Sequence, residues 1–214
     1  MYEVLIAAMK KTRSDVAACR LKCEYRDIES ALHKNIPDPF VFESKADCLA
    51  STTGKTNSIE GYTCNKVWGG YSLRNQRFQT DIRTCEDALF AWNAIVANVE
   101  RACFVDLPMY HWRIHKESTI RGLDIVNQTE ALSAYELMIQ SVEERFPLSL
   151  DSLCAGYITW NTTICEKMVV SHSYDELVYN RLRGNIRKYK RLYPASWFCA
   201  KDVGQIGSGG LADI

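Results

Sequence analysis

Three things are missing from this chain, and each removes a class of function. It has no net charge, because 26 Lys and Arg offset 26 Asp and Glu. No global field therefore draws it to nucleic acid. It has no apolar run near the roughly 20 residues that a membrane-spanning helix requires. The longest candidate, Leu153–Val170, is interrupted by Asn161, Glu166 and Lys167. It also has no Cys-x-x-Cys pair, although it contains nine cysteines. Cys19-x-x-x-Cys23, on an expected strand, is the closest pair and a weak basis for zinc. The cysteines read as reduced, small hydrophobes. Met1-Tyr-Glu-Val-Leu-Ile reads as an amphipathic helix rather than a secretory leader. The expectation is a cytoplasmic protein, in which the sequons at Asn127 and Asn161 are chance matches.

What is present organises into two textures. A chain of 214 residues can bury one sizeable core, with or without a helical appendage. Residues 1–120 alternate helix-period and strand-period segments. A helix is expected over Tyr2–Lys11, a strand over Val16–Tyr25, and a helix over Lys45–Ala50 capped by Ser44. A strand over Gly61–Trp68 follows. Thr84 is the candidate cap of a helix running to Asn98, with Asp87 three residues on in a capping-box-like arrangement. Two strands are expected next, Ala102–Leu107 and Met109–His115, with Pro108 turning the chain between them. Residues 121–200 carry helix periods only, over Asp124–Phe146, Leu150–Val170 and Tyr174–Tyr193. Residues 201–214 read as a flexible tail. The fold class is α/β: a short mixed sheet with helices, then a C-terminal helical extension.

Four features bear on chemistry. Ser51-Thr-Thr-Gly-Lys-Thr56 ends like a phosphate loop, but Leu49 occupies the first glycine position. Glu86-Asp87 stand at a helix start, where acids favour the helix dipole and cap the backbone. A carboxylate there can also act as general base toward a hydroxyl. His111, Arg113 and His115 alternate, so they share one face of a strand. That face is either solvated or lines a cleft that holds an anion or a metal. Lys66, between Tyr62 and Trp68, is a surface lysine or an anion contact. Finally, Arg181–Arg191 forms a basic helix with a narrow apolar stripe. It reads as a solvated surface helix or, more sharply, as a peripheral contact with an anionic membrane face.

Together these residues carry a resemblance. Gly61-Tyr-Thr-Cys-Asn-Lys-Val-Trp, then Arg77-Phe, then Cys85-Glu-Asp-Ala-Leu-Phe, then Phe104-Val-Asp-Leu-Pro-Met-Tyr-His-Trp-Arg-Ile-His-Lys-Glu-Ser118 resemble bacterial family-2 glycosyltransferases of the GT-A fold. The resemblance implies an inverting transfer from a nucleotide-diphospho sugar to a glycan or cell-surface polysaccharide. It implies Asp87 as general base and Glu86, Lys66 and Trp68 on the substrate side. His111, Arg113 and His115 would form the polar strand flanking the donor diphosphate. It also implies Mg²⁺ or Mn²⁺ in the intact enzyme, yet no Asp-x-Asp motif or glycine-rich nucleotide turn occurs here. The expectation is therefore an acceptor-side, C-terminal portion that is inactive alone and prone to self-association through an uncovered apolar edge. The alternative is a non-catalytic interaction protein derived from such an enzyme. A hydrolase using Asp87 with His111 or His115 is the weakest reading, since no nucleophile elbow is present.

Overall fold

The computed structural model describes residues 1–24, 35–53, 59–113, 125–142 and 146–190, which divide into two compact units, Met1–Leu153 and Cys154–Ile214. Helix α1 (Tyr2–Thr12) ends where Arg13 turns left-handed, at φ 55°, behind Lys10 and Lys11. Strand β1 (Val16–Glu24) follows, then β2 (Phe40–Phe42) and α2 (Lys45–Thr53). Next come β3 (Lys66–Trp68), α3 (Glu86–Asn98) and β4 (Ala102–Arg113). The sheet order is β2-β4-β1-β3. β1 and β4 run parallel at its centre, and the short β2 and β3 flank them antiparallel.

Alternation along the strands decides the core. Ala17, Cys19, Cys103 and Val105 point to one face, where Leu5 and Ala8 of α1 bury them. Burial of Leu5 and Val105 contributes on the order of 1.5–3 kcal/mol each, and the smaller Ala and Cys side chains less. Asp15 ties the start of the sheet together. Its carboxylate accepts from the Glu100 and Arg101 amides at 2.9 and 3.1 Å, and its carbonyl accepts from Gly69 at 2.8 Å. Helix α2 is capped as expected: the Ser44 hydroxyl accepts from the Asp47 amide at 3.2 Å. Helix α3 buries Leu89, Trp92 and Ile95. Its Trp92 Nε1 donates to Ser141 at 2.9 Å, on a later helix of the same unit.

After β4 come α4 (Ile125–Gln128), α5 (Glu130–Val142), α6 (Pro147–Val170) and α7 (Glu176–Tyr189). Pro147 opens α6 in the first-turn position that tolerates a missing N–H, and the helix continues through Gly156. In the second unit, Tyr189 of α7 meets Tyr157 of α6 edge-on at 5.4 Å. Asn185 donates to Asn161 at 3.0 Å. Asn161 is fully buried, which rules out its sequon as an accessible modification site in the folded chain.

The structure corrects four local expectations. The strand predicted over Gly61–Trp68 is only Lys66–Trp68, because the chain turns tightly before it, with Glu60 at φ 54°. Pro108 does not divide two strands. β4 runs through it, and the register against β1 slips from Cys19↔Val105 to Arg20↔Pro108 and then Leu21↔Tyr110. A bulge absorbs a residue that cannot donate to the ladder. The single helix predicted over Asp124–Phe146 is instead α4 and α5, split at Thr129. The Thr84 capping box does not form, because Cys85 is the N-cap and is left-handed at φ 64°, with no side-chain cap bond.

Candidate functional site

Helix α3 returns the chain between β3 and β4. Its C-terminal end lies at the start of the parallel strands, where Asp15 holds Glu100 and Arg101. Its mouth, Glu86-Asp87, therefore faces the end toward which β1 and β4 run, the usual place for ligands in an open α/β sheet. The chain preceding β3 lies against this mouth. A Cβ added at Gly61 would meet the Ala88 Cβ at 2.9 Å, so only glycine allows this approach.

A buried polar cluster underlies that contact. Lys66 is 5% exposed, and its ammonium donates to the Tyr62 carbonyl and to Asn65 Oδ1 at 2.7 Å. Asn65 is fully buried. Its amide donates to the Cys19 carbonyl at 2.7 Å and to Glu60 at 3.4 Å. Burial pushes Lys66 down to about 7, opposed chiefly by the carboxylate of Glu60. Burial raises Asp87 above its ordinary value, opposed by the Ala88 amide and by Lys66. The Asp87 carboxylate accepts from that amide at 2.8 Å. Glu60 is raised for the same reason, with Lys66 opposing. Desolvation thus acts on a lysine and two carboxylates within one cluster.

The structure buries Lys66 and half-buries Asp87, with the chain that leads into β3 packed on the first turn of α3 where Gly61 meets Ala88. Lys66 stands inside the protein rather than on its surface. Glu86 begins α3 and is half-buried; Trp68 is half-buried two residues beyond Lys66, opposite Val16. His111 and Arg113 lie beyond the bulge, and their strand partners are Lys22 and Glu24. His115 lies outside the described residues. Sequence reasoning missed Glu60 and Asn65, whose polarity gave no periodic signal. It also missed the pairing of Tyr62 with Trp112, whose rings are 6.0 Å apart and both partly exposed. Cavities of about 340 and 630 Å³ are lined by other residues, among them Ile82 and Leu137 in the first and Arg13 and Arg101 in the second.

Among the described residues, no group of three or more His, Cys, Asp or Glu side chains is arranged to hold a metal ion. No described helix is long and apolar enough to cross a membrane.

No protein-family model matches the sequence, and no curated protein matches it. Among solved structures, the chain is similar to residues 1–349 of Staphylococcus aureus TarS in complex with UDP-GlcNAc, with a TM-score of 0.56 at 14% identity. The similarity covers 90% of this chain and 53% of that one, so the chain spans about half the length of its structural neighbour. What the likeness establishes is the fold: a mixed α/β arrangement like that of a glycosyltransferase structure.

Proposed function

We propose that this chain is the acceptor-side part of an inverting, family-2-type glycosyltransferase, with Asp87 as general base. The observation that carries the reading is the half-buried Asp87 carboxylate in the first turn of α3, at the end toward which β1 and β4 run. A base works best when its pKa approaches the operating pH, and burial moves the Asp87 carboxyl in that direction. In the reaction, the acceptor oxygen bonds to the anomeric carbon as the bond from that carbon to the diphosphate breaks. The electron pair leaves with the nucleoside diphosphate, and the hydroxyl proton passes to Asp87. The nucleotide-sugar class of donor is supported by the structural neighbour, which holds UDP-GlcNAc. Glu86, Trp68 and the Tyr62–Trp112 pair would form the acceptor side, and His111, Arg113 and His115 the donor-diphosphate side. The nucleotide- and metal-binding elements of the donor site come from outside the described residues in this reading.

The test is Asp87→Asn in a preparation competent for transfer from a nucleotide sugar. General-base loss lowers kcat by about 10²–10⁴-fold with donor binding intact. Undiminished turnover would remove Asp87 from the chemistry.

The second unit favours an additional role in interaction. Around the α6–α7 connection Val169, Val170 and Leu177 are 74, 71 and 83% exposed, next to the exposed Arg181 and Arg183. Apolar side chains beside cations suit an anionic lipid face, which would place the protein at the inner face of a membrane. Co-sedimentation with phosphatidylserine vesicles, lost in Leu177→Asp and at high salt, is the expected result. Equal sedimentation with neutral vesicles would refute it.

A further inference from the structure

Two aromatic rings stay open to solvent beside the mouth of α3. Tyr62 and Trp112 are 40 and 36% exposed, and their ring centroids are 6.0 Å apart with planes inclined by 51°. Large apolar side chains are often exposed singly without consequence, but a paired and buttressed set marks a contact surface. Tyr62 comes from the turn before β3, and Trp112 from the last stretch of β4, beyond the bulge. Trp112 and Tyr110 share one side of β4, opposite Cys23 and Leu21 of β1. His111 and Arg113 alternate to the other side, with Lys22 and Glu24. The cations of this strand end are therefore kept off the face that carries the indole.

The turn that presents Tyr62 is fixed from beneath. Its carbonyl accepts from the Lys66 ammonium, which also donates to Asn65 Oδ1 at 2.7 Å. Asn65 is tied to β1 twice: its side-chain amide donates to the Cys19 carbonyl at 2.7 Å, and its own carbonyl accepts from the Cys19 amide at 3.0 Å. Lys66 and Asn65 are both buried. A ring whose backbone is held in this way has less freedom to lose when a ligand covers it. The same turn meets α3 where Gly61 lies against Ala88, so Tyr62 and Asp87 each stand one residue from that contact. We propose that Tyr62 and Trp112 form a stacking platform for a pyranose ring of the acceptor glycan. The C–H groups on one face of such a ring make an apolar patch that packs on aromatic side chains, while its hydroxyls remain available to polar groups. A neutral sugar suits a face from which the cations are turned away. The proposal names the ligand class of the site described above and rests on that reading for its part in transfer, whereas the sugar contact itself is a property of the folded chain.

Saturation-transfer NMR on the intact chain, with methyl β-D-glucopyranoside and separately with uridine, tests the platform. The sugar C–H protons receive saturation from the wild-type chain. Apparent affinity falls about 3–10-fold in Tyr62→Ala and in Trp112→Ala, the weight of one aromatic contact. It persists in Trp112→Phe and in the control Tyr71→Ala, at a tyrosine that is 68% exposed elsewhere. If an alanine variant does not fold, the wild-type chain suffices, because the Trp112 indole N–H resonance, assigned through Trp112→Phe, shifts as the sugar is added. No transfer to the sugar, affinity unchanged in both folded alanine variants, or an unmoved Trp112 resonance overturns the inference. Ring-dependent binding of uridine in place of the sugar also overturns it, since the pair would then be a nucleobase shelf. In a preparation competent for transfer, Trp112→Ala raises the acceptor KM more than it lowers kcat. Ring-dependent sugar binding with turnover indifferent to Asp87→Asn would refute the base alone. Turnover lost in Asp87→Asn with an acceptor KM indifferent to Trp112→Ala would refute the platform alone.

Discussion

Two helix starts in this molecule use an acid differently. At the start of α7, Asp175 is extended at φ −123° and its carboxylate accepts from the Val178 amide at 2.9 Å. That is an ordinary cap, and it leaves the side chain exposed and occupied. At the start of α3 the cap position belongs to Cys85, left-handed at φ 64° and without a side-chain cap bond. The acids Glu86 and Asp87 fall inside the first turn, and Asp87 is half-buried. A left-handed non-glycine residue costs roughly 1–2 kcal/mol, and a forgone cap costs about 1 more. The first helix start serves stability. The second forgoes the side-chain cap and leaves the Asp87 carboxylate half-buried on the Ala88 amide.

That contrast can be broken in several ways. The largest effect falls on catalysis: Asp87→Asn removes two to four orders of magnitude in turnover, whereas Asp175→Asn, which keeps a capping side chain, leaves turnover unchanged. Parallel progress curves check both.

The pH dependence of stability comes next. Lys66 is lowered to about 7 from 10.5, so across that window the unfolded chain binds a proton that the folded chain has released. Stability from this group therefore rises with pH between about 7 and 10.5. Asp87 and Glu60 have raised values and act oppositely: their contribution is present at low pH and is lost as pH climbs through those raised values. Urea melts across the alkaline window lose their upward slope in Lys66→Met. A slope that survives would place the lysine elsewhere.

Gly61→Ala is smaller. The added methyl meets Ala88 at 2.9 Å and costs about 1–3 kcal/mol, of which Ala88→Gly restores part. A double-mutant cycle showing no coupling would separate the turn from α3. Asp175→Ala is the smallest, at about 1 kcal/mol in a thermal melt, with no change in the titration of Asp87.

Much of the first unit was readable before any coordinates. The apolar spacing of Tyr2–Lys11, the alternation of Val16–Tyr25, the Ser44 cap and the helix running to Asn98 are local signals, and each matches its element closely. Asp87 at a helix start was also legible, and the position matched. The failures share a cause. Pro108 continues β4 because β1 offers a register that can slip around it, and no window around Pro108 contains β1. Cys85 displaces Thr84 as cap because the chain enters α3 left-handed, a backbone choice that no cysteine propensity announces. Whether His111 and Arg113 share space with Asp87 was likewise not decidable by alternation, which assigns a strand face but not its distance from a helix mouth.

By itself, the order of residues determined which segments could form helices or strands and where an acid pair would meet a helix dipole, because those preferences act within a few residues. Only the tertiary structure decided that Lys66 is internal. It pairs with Ala18 of β1, far away in the chain, and its ammonium donates to the Tyr62 carbonyl and to the fully buried Asn65. A lysine is exposed by default, and desolvation by distant neighbours overrules that default.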